Sequence, residues 1–233
     1  MLMRFERKTY FDKVREPLFF GSMSQDQVDG QEYILSMWEK YTRDHDLRWL
    51  AYFLATAIHE TASTMQPIAE YGKGSGQPYG EVDPVTEHAY YGRGYVQLTW
   101  ADNYKKADEE FDWKDQESCY LHPDLQLQGP IAARTGYRGM MDGWFRAGKE
   151  FSVYFNASRD DPYHARDIIN GDMDMKPEWG HGQTYGAIIA GYHEKFLAAL
   201  EASATTLPET RPGSENAITS TQEEATNGDA KGT

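Results

Sequence analysis

The stretch from Asp46 to Ser63 constrains the rest of the chain more than any other. Leu47, Leu50, Leu54, Ala57 and Ile58 recur at helical spacing, which predicts a helix with one buried stripe. His59-Glu60-Thr61 closes it and sets a carboxylate at the far end of the helix, beside the turn that leaves it. Such a group can lean into a cleft while its helix stays anchored in a core. Upstream, Ser24-Gln25-Asp26-Gln27 reads as a capped helix start, with Val28, Ile34, Leu35 and Trp38 carrying the helix to about residue 42.

Downstream the texture changes. Pro67, Gly72, Gly74, Gly76, Pro78, Gly80, Pro84, Gly92 and Gly94 punctuate residues 65–94, which predicts turns and short strands. Tyr95 to Trp100 then alternates: Val96, Leu98 and Trp100 are expected on a core face, and Tyr95, Gln97 and Thr99 on a polar one. Helical patterns return at Asn103 to about Phe111, Leu125 to about Trp144, near Arg166–Ile169, and over Tyr185–Ser203. The sum is a predominantly α, α+β fold with a small β-hairpin lobe beside a cleft. Residues 1–204 are expected to form one domain, with roughly the first 45 packing as a helical extension. Residues 205–233, almost without apolar side chains, are expected to form a disordered polar tail.

Charge narrows the partners. The 233-residue chain carries a formal −14 at pH 7, which excludes an electrostatic grip on nucleic acid or on an anionic membrane surface. An anionic substrate would have to be held locally, by hydrogen bonds and stacking. The 16 Tyr and 6 Trp suit that task, since their rings offer flat apolar faces with polar tips, although most rings in any domain are core. Cys119, the single cysteine, excludes an intramolecular disulfide and a cysteine-built zinc site, and it reads as buried packing. No stretch approaches the roughly 18 apolar residues of a membrane span, and no apolar run follows the charged N-terminus. The sequence sets no oligomeric state.

Three catalytic schemes fail on spacing. A zinc helix needs a second His one turn after His59, and position 63 is Ser. Gly72-Lys73-Gly74-Ser75-Gly76 follows a helix rather than an apolar strand, so it reads as a flexible lip and not a phosphate loop. A Gly-x-Ser-x-Gly elbow is absent. What is left is a helix-end acid, Glu60, with hydroxyls and amides nearby in sequence. That set fits glycan cleavage, where one carboxyl protonates the leaving oxygen and another group activates water. One carboxylate cannot do both at once, so an inverting mechanism places a second about 6.5–9.5 Å away. Glu70, Glu81, Asp83 and Glu87 are the candidates.

Ala57-Ile58-His59-Glu60-Thr61, then Tyr90-Tyr91-Gly92-Arg93-Gly94-Tyr95-Val96-Gln97-Leu98-Thr99, then Asn103-Tyr104 and Ile168-Ile169-Asn170-Gly171, together resemble glycoside hydrolase family 19. That family holds plant-type chitinases and phage or bacterial endolysins with a lysozyme-like fold, and the resemblance covers roughly residues 45–200. It implies Glu60 as general acid, kept protonated near neutral pH by burial against apolar neighbours. It implies Thr99 as the hydroxyl that holds the attacking water, and Gln97, Asn103 and Asn170 as sugar-binding residues; Tyr91 is expected to grip the sugars with them. Glu70 is the implied second acid, with Glu81 in reserve. No cofactor and no metal is implied.

The plant branch uses disulfides, and an arginine after the position of His181-Gly182, that this chain lacks. The departure favours peptidoglycan over chitin as the polysaccharide partner. The expectation is thus an endolysin-like glycosidase, made in the cytoplasm and released to the wall by a holin or a secretion system. The rivals are a chitinase on the same scaffold and a glycan-binding or phage-structural protein that does not cut.

Overall fold

A computed structural model describes residues 2–42 and 45–207. A short strand β1 (Leu2–Phe5) leads into α1 (Arg7–Phe19), α2 (Gln25–Tyr41) and α3 (Leu47–Glu60). Turns that carry β2 (Ile68–Ala69) and β3 (Arg93–Gly94) follow, then α4 (Ala101–Phe111), α5 (Gly129–Met141) and α6 (Phe151–Tyr154). The hairpin β4 (Phe155–Asn156) and β5 (Arg159–Asp160), the long α7 (Tyr185–Ser203) and β6 (Ala204–Leu207) complete the order. Helix dominates, and each sheet has two antiparallel strands, so the predominantly α, α+β architecture is as expected.

Every residue of α3 from Leu50 to Ile58 is buried. The helix is apolar on all sides rather than along one stripe, and such a helix belongs inside. It packs along α7, whose other flank is covered by α1, while α2 lies against α5. At its end, Thr61 Oγ1 donates back to the Ala57 carbonyl at 2.7 Å and accepts from Met65 N at 3.0 Å. Ala62, Ser63 and Met65 then take left-handed φ values, so α3 stops at Glu60, three residues before the predicted end. The reversed chain passes tightly over α2: a Cβ on Gly30 would stand 1.6 Å from the Met65 carbonyl oxygen. The Ser24–Gln27 capping box that starts α2 is present with both bonds, at 3.2 and 2.9 Å.

Two expectations are corrected. Tyr95–Trp100 is no alternating strand. Only Arg93–Gly94 is extended, pairing with Ile68–Ala69, and the chain then turns back so that Arg93 and Leu98 exchange both backbone bonds. Gln97 and Trp100 have positive φ, which breaks the two-residue period. Tyr95 is therefore buried, its hydroxyl donating to the Gly30 carbonyl, and Trp100 is half exposed. Second, Thr205–Leu207 lie in β6, with Thr205 opposite Arg4 and Thr206 opposite Met3, rather than in a tail. Residues 208–233, the remainder of the expected tail, lie outside the described residues.

The main core runs from Phe5 to Leu200 and includes α3. A smaller one, of Tyr90, Leu98, Tyr104 and Cys119, lies beneath α4. Phe145 packs against both.

Candidate active site

A cleft of about 280 Å³ opens between the end of α3, the β2–β3 lobe and the start of α4. Glu60, Glu70, Gln97, Thr99, Asn103 and Asn170 all line it. Tyr79, Trp100, Phe145 and Ile169 add apolar and aromatic surface. The carboxylates of α3 and β2–β3 thus share one groove with the Thr99 hydroxyl.

Glu60 stands on the last residue of α3 with its side chain 18% exposed. The expected apolar surroundings are not what it has: Oε1 accepts a hydrogen bond from Nη1 of the buried Arg166. Arg166 in turn donates to both carboxylate oxygens of Asp172, at 2.7 and 3.1 Å. Burial works against the Arg166 charge, but Asp172 and Glu60 outweigh it and hold the guanidinium above its ordinary value. The cation fixes one Glu60 oxygen and leaves Oε2 without a protein partner among the described residues. Next to it, burial pushes His59 below its ordinary value, and its ring packs edge-on to Tyr185.

Glu70 follows β2 directly. Its backbone N donates to the Gly92 carbonyl at 2.8 Å, which extends the β2–β3 pairing, and its side chain turns back onto the same strand. Oε2 accepts from Gly92 N and Oε1 from the Tyr79 hydroxyl, each at 3.2 Å. Burial first, then the neighbouring Glu70 carboxylate, hold the Tyr79 hydroxyl above its ordinary value, so it keeps its proton and donates. Two donors thereby orient Glu70 as an acceptor over the cleft. Gly92 lets Gln97 pack close: a Cβ there would come within 2.6 Å of Gln97 Oε1 and displace that amide.

The rest of the lining is held by side-chain bonds. Asn103 Nδ2 donates to the Thr99 carbonyl at 2.9 Å, which ties the first turn of α4 to the segment before it and leaves Asn103 Oδ1 as an acceptor. The Thr99 hydroxyl makes no hydrogen bond to the described residues, and Thr99 lines the cleft. Gln97 is pinned through Nε2 to the Ile68 carbonyl at 3.2 Å, and Asn170 donates to Asp172 at 3.1 Å. Trp100, at φ 71°, holds its ring edge-on to Tyr79, 5.4 Å between centroids.

Two expected site residues stand elsewhere. Tyr91 does not line the cleft; its ring lies 3.6 Å under the buried Arg93 guanidinium, which also bonds Asp124 at 2.8 Å, so it supports the lobe from behind. Glu81 is exposed after the helical turn Pro78–Gly80 and is not among the lining residues. Sequence reading missed Arg166 and Asp172, which no local pattern connects to Glu60, 106 residues away from Arg166. It also missed Tyr79, Phe145 and the exposure of Trp100. Among the described residues, no three His, Cys, Asp or Glu side chains converge as a metal site, and no helix is long and apolar enough to cross a membrane.

No family model matches the chain, and neither does any curated protein. Among solved structures it is similar to chitinase C from Streptomyces griseus, at 21% identity and a TM-score of 0.49, covering 84% of this chain and 75% of that one. A bacterial family 19 chitinase described as differing from plant enzymes is 22% identical with a TM-score of 0.46, covering 84% and 94%. A class IV chitinase of glycoside hydrolase family 19 from Zea mays is 18% identical with a TM-score of 0.48, covering 82% and 94%.

Proposed function

We propose that the protein is an inverting glycoside hydrolase that cleaves β-1,4 bonds between N-acetylated amino sugars of peptidoglycan. One observation supports this most: a helix-end carboxyl, a second carboxylate held by two donors, and a free hydroxyl open into the same groove. Glu60, fixed by Arg166 through one oxygen, presents the other to the glycosidic oxygen and gives up its proton as the C1–O bond breaks. A water held by Thr99 adds to C1 from the opposite face, and its proton passes to Glu70. Gln97, Asn103 and Asn170 would bond the amide and hydroxyl groups of the sugars, and Trp100 would pack against a ring.

Glu60→Gln keeps the shape of the donor and removes its proton. Turbidity clearance of purified peptidoglycan should fall by at least about 100-fold, as for loss of a general acid. Activity within tenfold of the unaltered protein would refute the assignment. The first anomer seen by NMR should be inverted.

Chitin is the second reading, favoured by a specific feature of the cleft. Its lining holds two carboxylates and no Lys or Arg, so nothing there pairs with the lactyl carboxylate that peptidoglycan carries and chitin lacks. Soluble chitin oligomers and peptidoglycan assayed side by side separate the two.

A further inference from the structure

A second cavity, about 310 Å³, opens between α2, α5 and the segment that follows α4, and it shares no lining residue with the cleft. Its size falls at the lower end of ligand pockets, about 300–1,000 Å³. Two cations face it, Lys40 and Arg134, against one carboxylate, Glu117. The Arg134 guanidinium lies over three rings, at 4.1 Å from the centroid of Phe111, 4.6 Å from Tyr41 and 5.6 Å from Trp113.

Neither cation has a carboxylate within ion-pair distance among the described residues, whereas Arg7, Arg48, Arg93, Arg138 and Arg166 each do. The chain holds 37 acidic and 23 basic residues, yet this ring-flanked arginine is left without an acid among the described residues. The guanidinium lies over the rings and its N–H groups make no hydrogen bond to the described residues, so a planar fork that matches a carboxylate is left to donate. Lys40 lies 4.8 Å from the Tyr41 ring and adds a second positive group on the same side. The exposed ring of Tyr33 supplies an apolar face with a polar tip.

We propose that this cavity binds a carboxylate-bearing amino sugar, with the carboxylate on Arg134 and Lys40 and the sugar ring against Tyr33. The choice of an amino sugar rests on the hydrolase reading above. A wall glycan would then be selected over a neutral one at a place separate from the chemistry, which answers the lack of a cation in the cleft.

The test is calorimetric titration of the full chain with N-acetylmuramic acid and, in parallel, N-acetylglucosamine. The acid sugar should bind at least tenfold more tightly than the neutral one. Arg134→Gln should weaken it at least tenfold and Lys40→Gln at least threefold, while Lys195→Gln, an exposed change on α7 that lines neither cavity, leaves it unchanged. Equal binding of the two sugars, no binding of either, or a loss in Lys195→Gln as large as that in Lys40→Gln overturns the proposal. If Arg134→Gln does not fold, the comparison of sugars and the exposed Lys40→Gln still decide. Glycan cleavage, read separately through Glu60→Gln, can stand or fall independently.

Discussion

Acidification should destabilise the protein through one buried histidine. His193 on α7 is 2% exposed, stacked 5.2 Å from Phe155 and tilted 5.9 Å from Tyr52, and neither ring nitrogen has a hydrogen-bond partner among the described residues. Burial lowers its pKa from 6.5 to about 4, with nearby Asp160, Arg48 and Asp46 contributing smaller and partly opposing effects. The unfolded chain therefore takes up a proton near pH 6.5 that the folded one refuses until about pH 4. The stabilisation is complete above pH 6.5 and is lost as pH falls towards 4. At about 1.4 kcal/mol for each pH unit between those two values, the loss comes to about 3 kcal/mol.

Urea unfolding at pH 7, 5.5 and 4.5 measures it, with His193→Phe as the comparison because that ring keeps the stacking and cannot charge. The variant should lose about 2.5 kcal/mol less than the unaltered protein between pH 7 and 4.5. An equal fall in both would refute the reasoning. Carboxylates act in a different window. Burial raises Asp46 and Asp161, but hydrogen bonds from Arg48 and Arg159 outweigh it and hold both below the ordinary 3.8, so their share is lost only in more acid solution.

Two further substitutions test the frame of the site. Arg166→Met leaves Glu60 and Asp172 together without their buried cation; it should cost about 3–5 kcal/mol in urea unfolding and abolish glycan cleavage. Gly30→Ala drives a methyl into the Met65 carbonyl, which is backbone and has little room to yield; a loss of at least about 3 kcal/mol is expected, and a loss under 1 kcal/mol would show that the chain after α3 can move aside.

Local chemistry was readable where it was self-contained. The box of Ser24 and Gln27 announces α2 because both partners lie within one turn, and α7 declares itself by a long apolar period. Six of the eight singled-out residues line one cleft because the motif segments that carry them pack around the end of α3. What was illegible depends on distance or on backbone sign. The β1–β6 pairing joins residues about 200 positions apart, with no local signature. The 95–100 alternation misled because period alone does not reveal that Gln97 and Trp100 adopt positive φ. Arg166 and Asp172 look like ordinary charges until the fold sets them beside Glu60.

The two cores have a mechanical corollary. Glu60 is rooted in the larger one, whereas Thr99 and Asn103 adjoin Leu98 and Tyr104 of the smaller, and Phe145 is wedged where both bodies meet, at the rim of the groove. The proposed acid and the hydroxyl proposed to hold the water are therefore anchored in different clusters, and the gap between them depends on how firmly those clusters seat. Warming should loosen the seat before either cluster melts, so turnover fades at a lower temperature than the helical circular-dichroism signal does. Coincident loss of the two would mean that the clusters behave as one.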